Sequence, residues 1–224
     1  VTDLGYYLGG CPTVGKPGVL VIPVEFSDVT AKSKGYTTQT LEKAFNGGEG
    51  DTDYYSVRDY YSISSYGKLN VEFTVLDSWF RPSKTSTYYA NQTETDAYGN
   101  ESLIGDQMVL DEALAYLSKS MDLSKFDSDG NSVIDAVVLI TTLTISDEAD
   151  FYWAYRYWNY YVDDEGYYYE YDGVSANDYL WASYQFLYES YDANGDVVYD
   201  SSAMNTYTFI HEFAHILGAD DYYD

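Results

Sequence analysis

The sequence predicts one globular domain of mixed α/β (α+β) character. Residues 18–26 and 133–143 are predominantly apolar and rich in β-branched side chains, a pattern typical of buried strands. Residues 103–117 carry apolar side chains at helical spacing. The chain has 224 residues, of which 46% are hydrophobic, so it can bury a substantial core. No internal repeat and no linker rich in proline or serine interrupts the sequence, and we therefore expect a single domain.

The N-terminal part of the domain begins with the predicted strand GVLVIPVEF, residues 18–26, which is bounded by turn-forming residues. Residues 1–17 are expected to form an N-terminal extension ahead of it. A short helix is predicted over residues 37–48, because a threonine is placed to cap its first turn and two glycines follow its end.

The segment SVRDYYSISSYGKLNVEFTVLDSWF predicts a helix, a turn and a strand in succession. The helix is expected to run through Tyr61, the turn to fall at Tyr66 and Gly67, and the strand to begin at Leu69. The helix at residues 103–117 then leads to the second apolar strand.

Tyrosine dominates the segment that follows the second apolar strand. Many of the 29 tyrosines fall in residues 151–172, FYWAYRYWNYYVDDEGYYYEYD. We interpret this stretch as strands and loops whose phenols pack on one side and meet water on the other; a surface for carbohydrate stacking or peptide contact is the alternative. Residues 191–199 contain an Asn-Gly pair between strand-like flanks, which predicts a β-hairpin.

The charge balance argues against polyanionic partners. There are 37 acidic and 11 basic residues, which give a formal net charge of -26. Binding to nucleic acid requires clustered lysine and arginine to displace counterions, so we expect no nucleic acid partner. No apolar run approaches the roughly 18 residues of a membrane-spanning helix, and we expect no membrane insertion.

The segment HEFAHILGADD carries the features of a metal site. Residues four apart lie on one face of a helix, so His211 and His215, the only histidines of the chain, can present two imidazole nitrogens to one ion. Glu212 is then turned aside, close enough to polarise a bound water, which is the arrangement of a zinc hydrolase. Gly218 is placed to end the helix in a left-handed turn, after which an acidic residue can reach the metal.

HEFAHILGADD fits HExxHxxGxxD, a variant of the metzincin motif in which an aspartate replaces the third histidine. The motif resembles that of the immune inhibitor A family of secreted bacterial metallopeptidases. Further segments resemble that family in the same order and cover most of the chain from residue 12 onward. They are PGVLVIPVEFSD, SVRDYYSISSYGKLNVEFTVLDSWF, FDSDGNSVIDAVVLI and the stretch from Trp153 to Arg156.

The resemblance implies a zinc ion held by His211, His215 and Asp221, with Glu212 as general base and general acid. It also implies a secreted or cell-surface bacterial enzyme that hydrolyses peptide bonds of protein or peptide substrates through metal-activated water. Counting residues assigns Asp221 to the last motif position, but the adjacent Asp220 is a rival third ligand.

The fold that the resemblance implies is the upper catalytic subdomain of a metzincin, a twisted mixed β-sheet with backing helices and an active-site helix at its C-terminal end. In that family a methionine turn lies downstream of the third ligand, whereas Met108, Met121 and Met204 all precede His211. We therefore expect the metallopeptidase domain, residues 18–224, to be truncated before the methionine turn and the lower subdomain.

The segment DSDGNSVID offers oxygen ligands at alternate positions, which are Asp127, Asp129, Asn131, the carbonyl of Val133 and Asp135. Alternation in a tight turn directs successive oxygens inward, which suits a hard cation such as calcium. The segment lacks the glycine at the sixth position and the bidentate glutamate at the twelfth that define an EF-hand loop, so an Asp/Asn-rich turn without an ion is the alternative. The resemblance favours calcium, because related members bind structural calcium.

Cys11 is the only cysteine, so no intrachain disulfide can form. Because a thiolate is a strong zinc ligand, Cys11 is a candidate for intramolecular latency, in which it occupies the catalytic zinc position. A small buried or idle residue is the alternative.

Two functions of different classes fit the sequence. The first is a zinc-dependent endopeptidase with Glu212 as its base. The second is a non-catalytic, calcium-stabilised extracellular binding module, whose contact surface is the tyrosine-rich segment and whose zinc site is structural or vestigial. Glu212 separates them, because a purely structural site has no use for it.

Overall fold

A computed structural model of the chain describes residues 10–95, 98–146, 149–160, 168–194, 197–199 and 204–221. Its helices and strands in chain order are β1 (Gly18–Val24), α1 (Ala31–Lys34), α2 (Thr38–Asn46), α3 (Val57–Ser64), β2 (Glu72–Val75), α4 (Ser86–Ala90), β3 (Thr93–Thr95), β4 (Glu101–Leu103), α5 (Gly105–Leu117), β5 (Val133–Ile134), β6 (Ala136–Thr141), β7 (Tyr155–Trp158), β8 (Ser175–Ala176), β9 (Asp178–Ser183), β10 (Glu189–Tyr191), β11 (Val197–Tyr199) and α6 (Tyr207–Ile216).

A mixed five-stranded β-sheet forms the centre of the fold. Its strand order is β2-β1-β6-β9-β7, with the first four strands parallel and β7 antiparallel at the edge. The predicted mixed α/β class is thus confirmed. All residues of β6 and β9, and all but the first of β1, are buried. Parallel strands that are covered on both faces need apolar side chains on both faces, which is why β1 and β6 read as continuous apolar runs.

Helices cover both faces of the sheet, and each face has its own core. Alternate residues of β1, such as Val19 and Val21, point into the first core, which includes Phe209 and Phe213 of α6 as well as residues of α2 and α3. The intervening residues, such as Leu20, point into the second core, which includes residues of α5. Helices α2, α3 and α6 therefore lie on one face of the sheet, and α5 lies on the other.

The predicted single strand at residues 133–143 is wrong, because it is interrupted at Asp135. Strand β6 joins the main sheet, while β5 pairs in parallel with β8 outside it. The interruption arises where Asp135 turns its carboxylate toward the start of β1. Its Oδ2 accepts from the backbone N–H of Gly18 at 2.7 Å, and its Oδ1 accepts from that of Ser128 at 3.2 Å.

Strand β2 begins at Glu72, later than the predicted start at Leu69. Leu69 forms only an isolated bridge with Gly15. The ladder between the two segments breaks at Pro17, because proline has no N–H to donate. It resumes where the N–H of Glu72 donates to the Pro17 carbonyl at 2.9 Å.

Several other predicted elements are present, whereas residues 1–9 of the predicted N-terminal extension and residues 161–167 of the tyrosine-rich segment lie outside the described residues. The side chain of Thr37 caps α2, the turn at Tyr66 and Gly67 has positive φ at both residues, and α5 covers most of the helix predicted at 103–117. Strands β10 and β11 pair antiparallel as the predicted hairpin, although residues 195–196 lie outside the described part of the chain. No helix in the described ranges is both long enough and apolar enough to cross a membrane.

Gly105, the first residue of α5, permits a close backbone approach between α5 and α4. A Cβ atom at this position would lie 2.6 Å from the carbonyl carbon of Tyr89. We expect Gly105→Ala to lower the free energy of unfolding by about 2–3 kcal/mol, because the backbone of α4 must shift. Gly48→Ala is the matched control, since a Cβ there meets nothing within 4 Å. Urea unfolding followed by circular dichroism measures both variants, and equal effects would contradict the close approach.

Candidate metal centre

Helix α6 is held against the sheet by aromatic packing on the side opposite to its two histidines. Phe213 is fully buried and contacts the rings of Tyr61 and Phe73 at centroid distances of 5.3 Å. The hydroxyl of Tyr61 also donates to the carbonyl of Ile210 at 2.5 Å. The imidazoles are therefore presented by a helix whose position is set by the core.

The ligand atoms of His211, His215 and Asp221 converge, and these residues form a group that could hold a metal ion. The Nε2 atoms of the two histidines are 3.2 Å apart. Asp221 Oδ1 lies 3.2 Å from Nε2 of His211 and 3.3 Å from Nε2 of His215. The chain returns to this position because α6 ends at Ile216 and Gly218 adopts a φ of 89°. The predicted left-handed turn is thus confirmed.

The hydrogen bonding of His215 fixes the orientation of its ring, with Nε2 directed toward His211 and Asp221. Its Nδ1 lies 2.8 Å from the carbonyl oxygen of Ala219, which can only accept, so Nδ1 carries the hydrogen. In the neutral imidazole, the lone pair of Nε2 then points toward His211 and toward the carboxylate of Asp221. Acceptor atoms this close repel one another unless a proton or a cation lies between them.

The distances within the group match the coordination geometry of a small tetrahedral ion. Donor atoms about 2.0–2.1 Å from such an ion are about 3.3–3.4 Å from one another. The three separations in this group, 3.2, 3.2 and 3.3 Å, fit that spacing. Three protein donors leave the fourth tetrahedral position open.

Asp221, and not Asp220, supplies the carboxylate of this group. Both residues line the cavity over the group, but among the described residues only Asp221 joins the two histidines as a metal-capable side chain. The arrangement therefore favours Asp221 as the third ligand over its neighbour.

Glu212 lies beside the group with its carboxylate largely removed from solvent. The residue is 9% exposed, and the backbone of Arg156 in β7 lies close enough to its carboxylate to favour the ionised form. Burial raises the pKa of Glu212, while the nearby imidazoles of His211 and His215 oppose the rise. The carboxylate is thus positioned by β7 as well as by α6.

A cavity of about 590 Å³ lies over the group, between α6, the turn after it and strand β7. Arg156 anchors the β7 wall of this cavity. Its guanidinium pairs with Asp178 of β9, which is 2% exposed, and stacks on Trp158 at 3.9 Å from the ring centroid. Sequence reasoning missed this role of Arg156, whose only signal was its place in the Trp153 to Arg156 stretch, and Asp178 carried no signal at all.

The predicted calcium segment forms a tight acidic turn. Carboxylate oxygens of Asp127, Asp129 and Asp135 lie within 4.8 Å of one another, so these residues form a second group that could hold a metal ion. Asn131 Oδ1 instead accepts from the backbone N–H of Val133 at 2.8 Å, and Val133 is buried in β5. The turn therefore brings three of the five predicted ligands together.

Cys11 is buried, with 5% of its surface exposed. Burial raises the pKa of its thiol, and the nearby carboxylates of Asp135 and Asp129 raise it further, so the thiol stays protonated. Within the described residues Cys11 belongs to neither metal-capable group. A latency role for Cys11 stays a prediction, and its surroundings in the fold are those of a packed core residue.

No protein-family model and no curated sequence matches the chain. The resemblance to the immune inhibitor A family therefore stays a prediction from the quoted motifs.

The adjacent aspartates after α6 give a direct test of the third ligand. We expect Asp221→Ala to weaken the binding of Zn²⁺, used as the probe, by at least about 100-fold, which is the upper range for the loss of an outer-shell partner alone. Asp220→Ala is the matched control and should bind Zn²⁺ like the wild type. Competition with a chelating dye measures both affinities. If the two effects are exchanged, Asp220 is the third ligand.

Proposed function

We propose that this chain is a zinc-dependent endopeptidase domain of a secreted or cell-surface bacterial protein, related to the immune inhibitor A family and built as the upper catalytic subdomain of a metzincin. The observation that carries the proposal is the convergence of acceptor atoms from His211, His215 and Asp221 beside the buried Glu212. The mixed sheet, with α6 as the last helix of the described residues, supports the same fold.

The donor set suits zinc. Two imidazole nitrogens and one carboxylate oxygen are ligands that zinc accepts in tetrahedral catalytic sites with one open position. When bound, zinc lowers the pKa of a water molecule and polarises the substrate carbonyl. His211, His215 and Asp221 would hold it, and the hydrogen bond from His215 Nδ1 to the carbonyl of Ala219 fixes the tautomer that ligation by Nε2 requires.

Glu212 moves the protons in this mechanism. As the water oxygen bonds to the scissile carbonyl carbon, the Glu212 carboxylate takes the proton that the water gives up. It then delivers this proton to the amine nitrogen as the carbon–nitrogen bond breaks. Glu212 and Arg156 line the same cavity, so the carboxylate lies within the space that the substrate would enter.

Strand β7 supports a polypeptide as the substrate. It is one of the two edge strands of the main sheet in the described part of the chain, and it lines the cavity together with the exposed Trp153. An extended peptide can add to such an edge through main-chain hydrogen bonds while its side chains contact the aromatic rings. Such binding would hold the scissile carbonyl next to Glu212.

A non-catalytic binding module stabilised by calcium is the second candidate, and the exposed aromatic residues favour it. Trp153 is 47% exposed and Trp158 is 38% exposed, so they offer a contact surface whether or not the site cleaves. This alternative treats the zinc site as structural or vestigial and gives Glu212 no role. It predicts zinc binding without hydrolysis.

Glu212→Gln keeps the size of the side chain but removes the base. We expect kcat/KM to fall by at least about 100-fold, as for the loss of general acid–base catalysis, while the zinc content per chain is unchanged. A quenched fluorescent peptide library and metal analysis measure the two quantities on the same sample. Glu49→Gln, which removes an exposed carboxylate between α2 and α3, is the matched control and should keep wild-type activity.

Hydrolysis that persists in Glu212→Gln would defeat this mechanism. Zinc binding by a wild-type chain that cleaves no peptide of the library would favour the binding module.

We further propose that the acidic turn binds calcium as a structural ion. Three carboxylates from Asp127, Asp129 and Asp135 suit a hard cation that takes oxygen ligands. Asp135 also accepts from the N–H of Gly18 at the start of β1, so an ion in the turn would tie the loop to the central sheet.

Asp129→Ala removes one carboxylate of the turn and tests the calcium site. Calcium at 100 times its dissociation constant adds about 2.7 kcal/mol of stability, which is about 5–10 °C in Tm for a chain of this size. We expect this calcium-dependent rise in Tm in the wild type and its loss in Asp129→Ala. Glu170→Ala, which changes an exposed residue, is the control and should keep the rise. Differential scanning calorimetry with calcium and with a chelator measures it. A wild type without the increment would identify an ion-free turn.

A further inference from the structure

A second cavity, of about 470 Å³, lies on the other face of strand β7. Successive side chains of a strand point to opposite faces. Arg156 lines the cavity of the metal centre, whereas Tyr157 packs toward the core that contains α5 and lines the second cavity. The two cavities share Trp153, Ala154 and Tyr155, so they adjoin at the start of the strand.

Both carboxylates and apolar surfaces line this second cavity, which is called the acidic cavity below. Its acidic residues are Glu101, Asp106 and Asp150, and its apolar walls include Leu103 and Phe151. No lysine, arginine or histidine is among its described lining residues. A ligand that matches such a lining needs an apolar stem with a positive end, and the side chains of lysine and arginine have both.

The floor of the acidic cavity is pre-organised. Asp106 is 4% exposed, and its Oδ2 accepts from the hydroxyls of Tyr155 at 2.9 Å and of Tyr179 at 2.5 Å. These bonds tie the first turn of α5 to strands β7 and β9. The carboxylates of Glu101 and Asp150 are exposed and lie where an incoming cation would first meet the cavity.

We propose that the acidic cavity binds a lysine or arginine side chain of the polypeptide that is cleaved at the metal centre. This inference rests on the proposed function, because it takes the substrate to lie along β7. The side chains of an extended peptide alternate between two faces, so the neighbours of a residue that faces the metal centre face the acidic cavity. Because the two cavities share residues 153–155, the basic residue lies close to the scissile bond in the substrate.

The test compares two series of short peptides that bind to the zinc-loaded Glu212→Gln chain, measured by isothermal titration calorimetry. In one series a single lysine is moved along a neutral peptide; in the other, norleucine takes the same positions and keeps the stem without the charge. We expect lysine at one position to bind about tenfold more tightly than norleucine. The difference should shrink at high salt, because the rim of the cavity is open to solvent.

Variants of the exposed acidic residues locate the effect. In the same background, Glu101→Gln with Asp150→Asn should reduce the preference for lysine to about twofold or less. Glu49→Gln with Glu170→Gln removes the same number of charges from exposed positions outside the cavity and should keep the preference. Equal losses in both double variants would trace the preference to net charge and overturn the assignment, as would equal affinity for lysine and norleucine or no binding of either.

Cleavage by the wild-type chain separates this inference from the function on which it rests. Hydrolysis of library peptides without enrichment of basic residues near the cleaved bond would leave the endopeptidase standing and overturn the role of the acidic cavity. Lysine-dependent binding by a wild-type chain that hydrolyses nothing would overturn the endopeptidase and retain the cavity as a site for basic peptides.

Discussion

The pairing of β7 with β9 is the contact on which the candidate site depends. Strand β7 lies beside Glu212 and supplies a wall of each of the two cavities that flank the strand. The ion pair between Arg156 and Asp178 joins the two strands with little exposure to water. Removing one member of a buried pair leaves an uncompensated charge, which costs about 3–5 kcal/mol. The pair therefore resists displacement of β7, even where its net contribution to stability is small.

Aromatic packing fixes the position of helix α6, as the ion pair fixes that of β7. Phe209 lies against Phe45 at a centroid distance of 5.7 Å, and Phe213 lies between the rings of Tyr61 and Phe73. Groups that act together on one substrate must be held within small tolerances, and side chains on packed helices and strands meet that demand better than side chains on loops. The histidines and Glu212 therefore share one rigid support, with β7 as its fixed counterpart.

Structural features that have a local sequence pattern could be predicted from the sequence. Features that depend on partners distant in the chain could not. The sequence predicts strands β1 and β6, because a strand that is buried on both faces needs a run of apolar residues. It also predicts the turn at Gly218, because a left-handed helix end favours glycine. The break at Asp135 depends on the N–H of Gly18, which is remote in the chain. Likewise, nothing near Arg156 indicates that Asp178 will face it. A local sequence pattern carries no information about such contacts between residues that are distant in the chain.

The third donor of the metal group is held differently from the other two. His211 and His215 stand on a packed helix, whereas Asp221 follows the Gly218 turn and its side chain is 47% exposed. Dissociation of an ion would therefore begin at the carboxylate, and a state with two imidazole ligands is the natural intermediate of metal exchange. The rate at which an ion leaves this group would then depend on how firmly the turn holds Asp221.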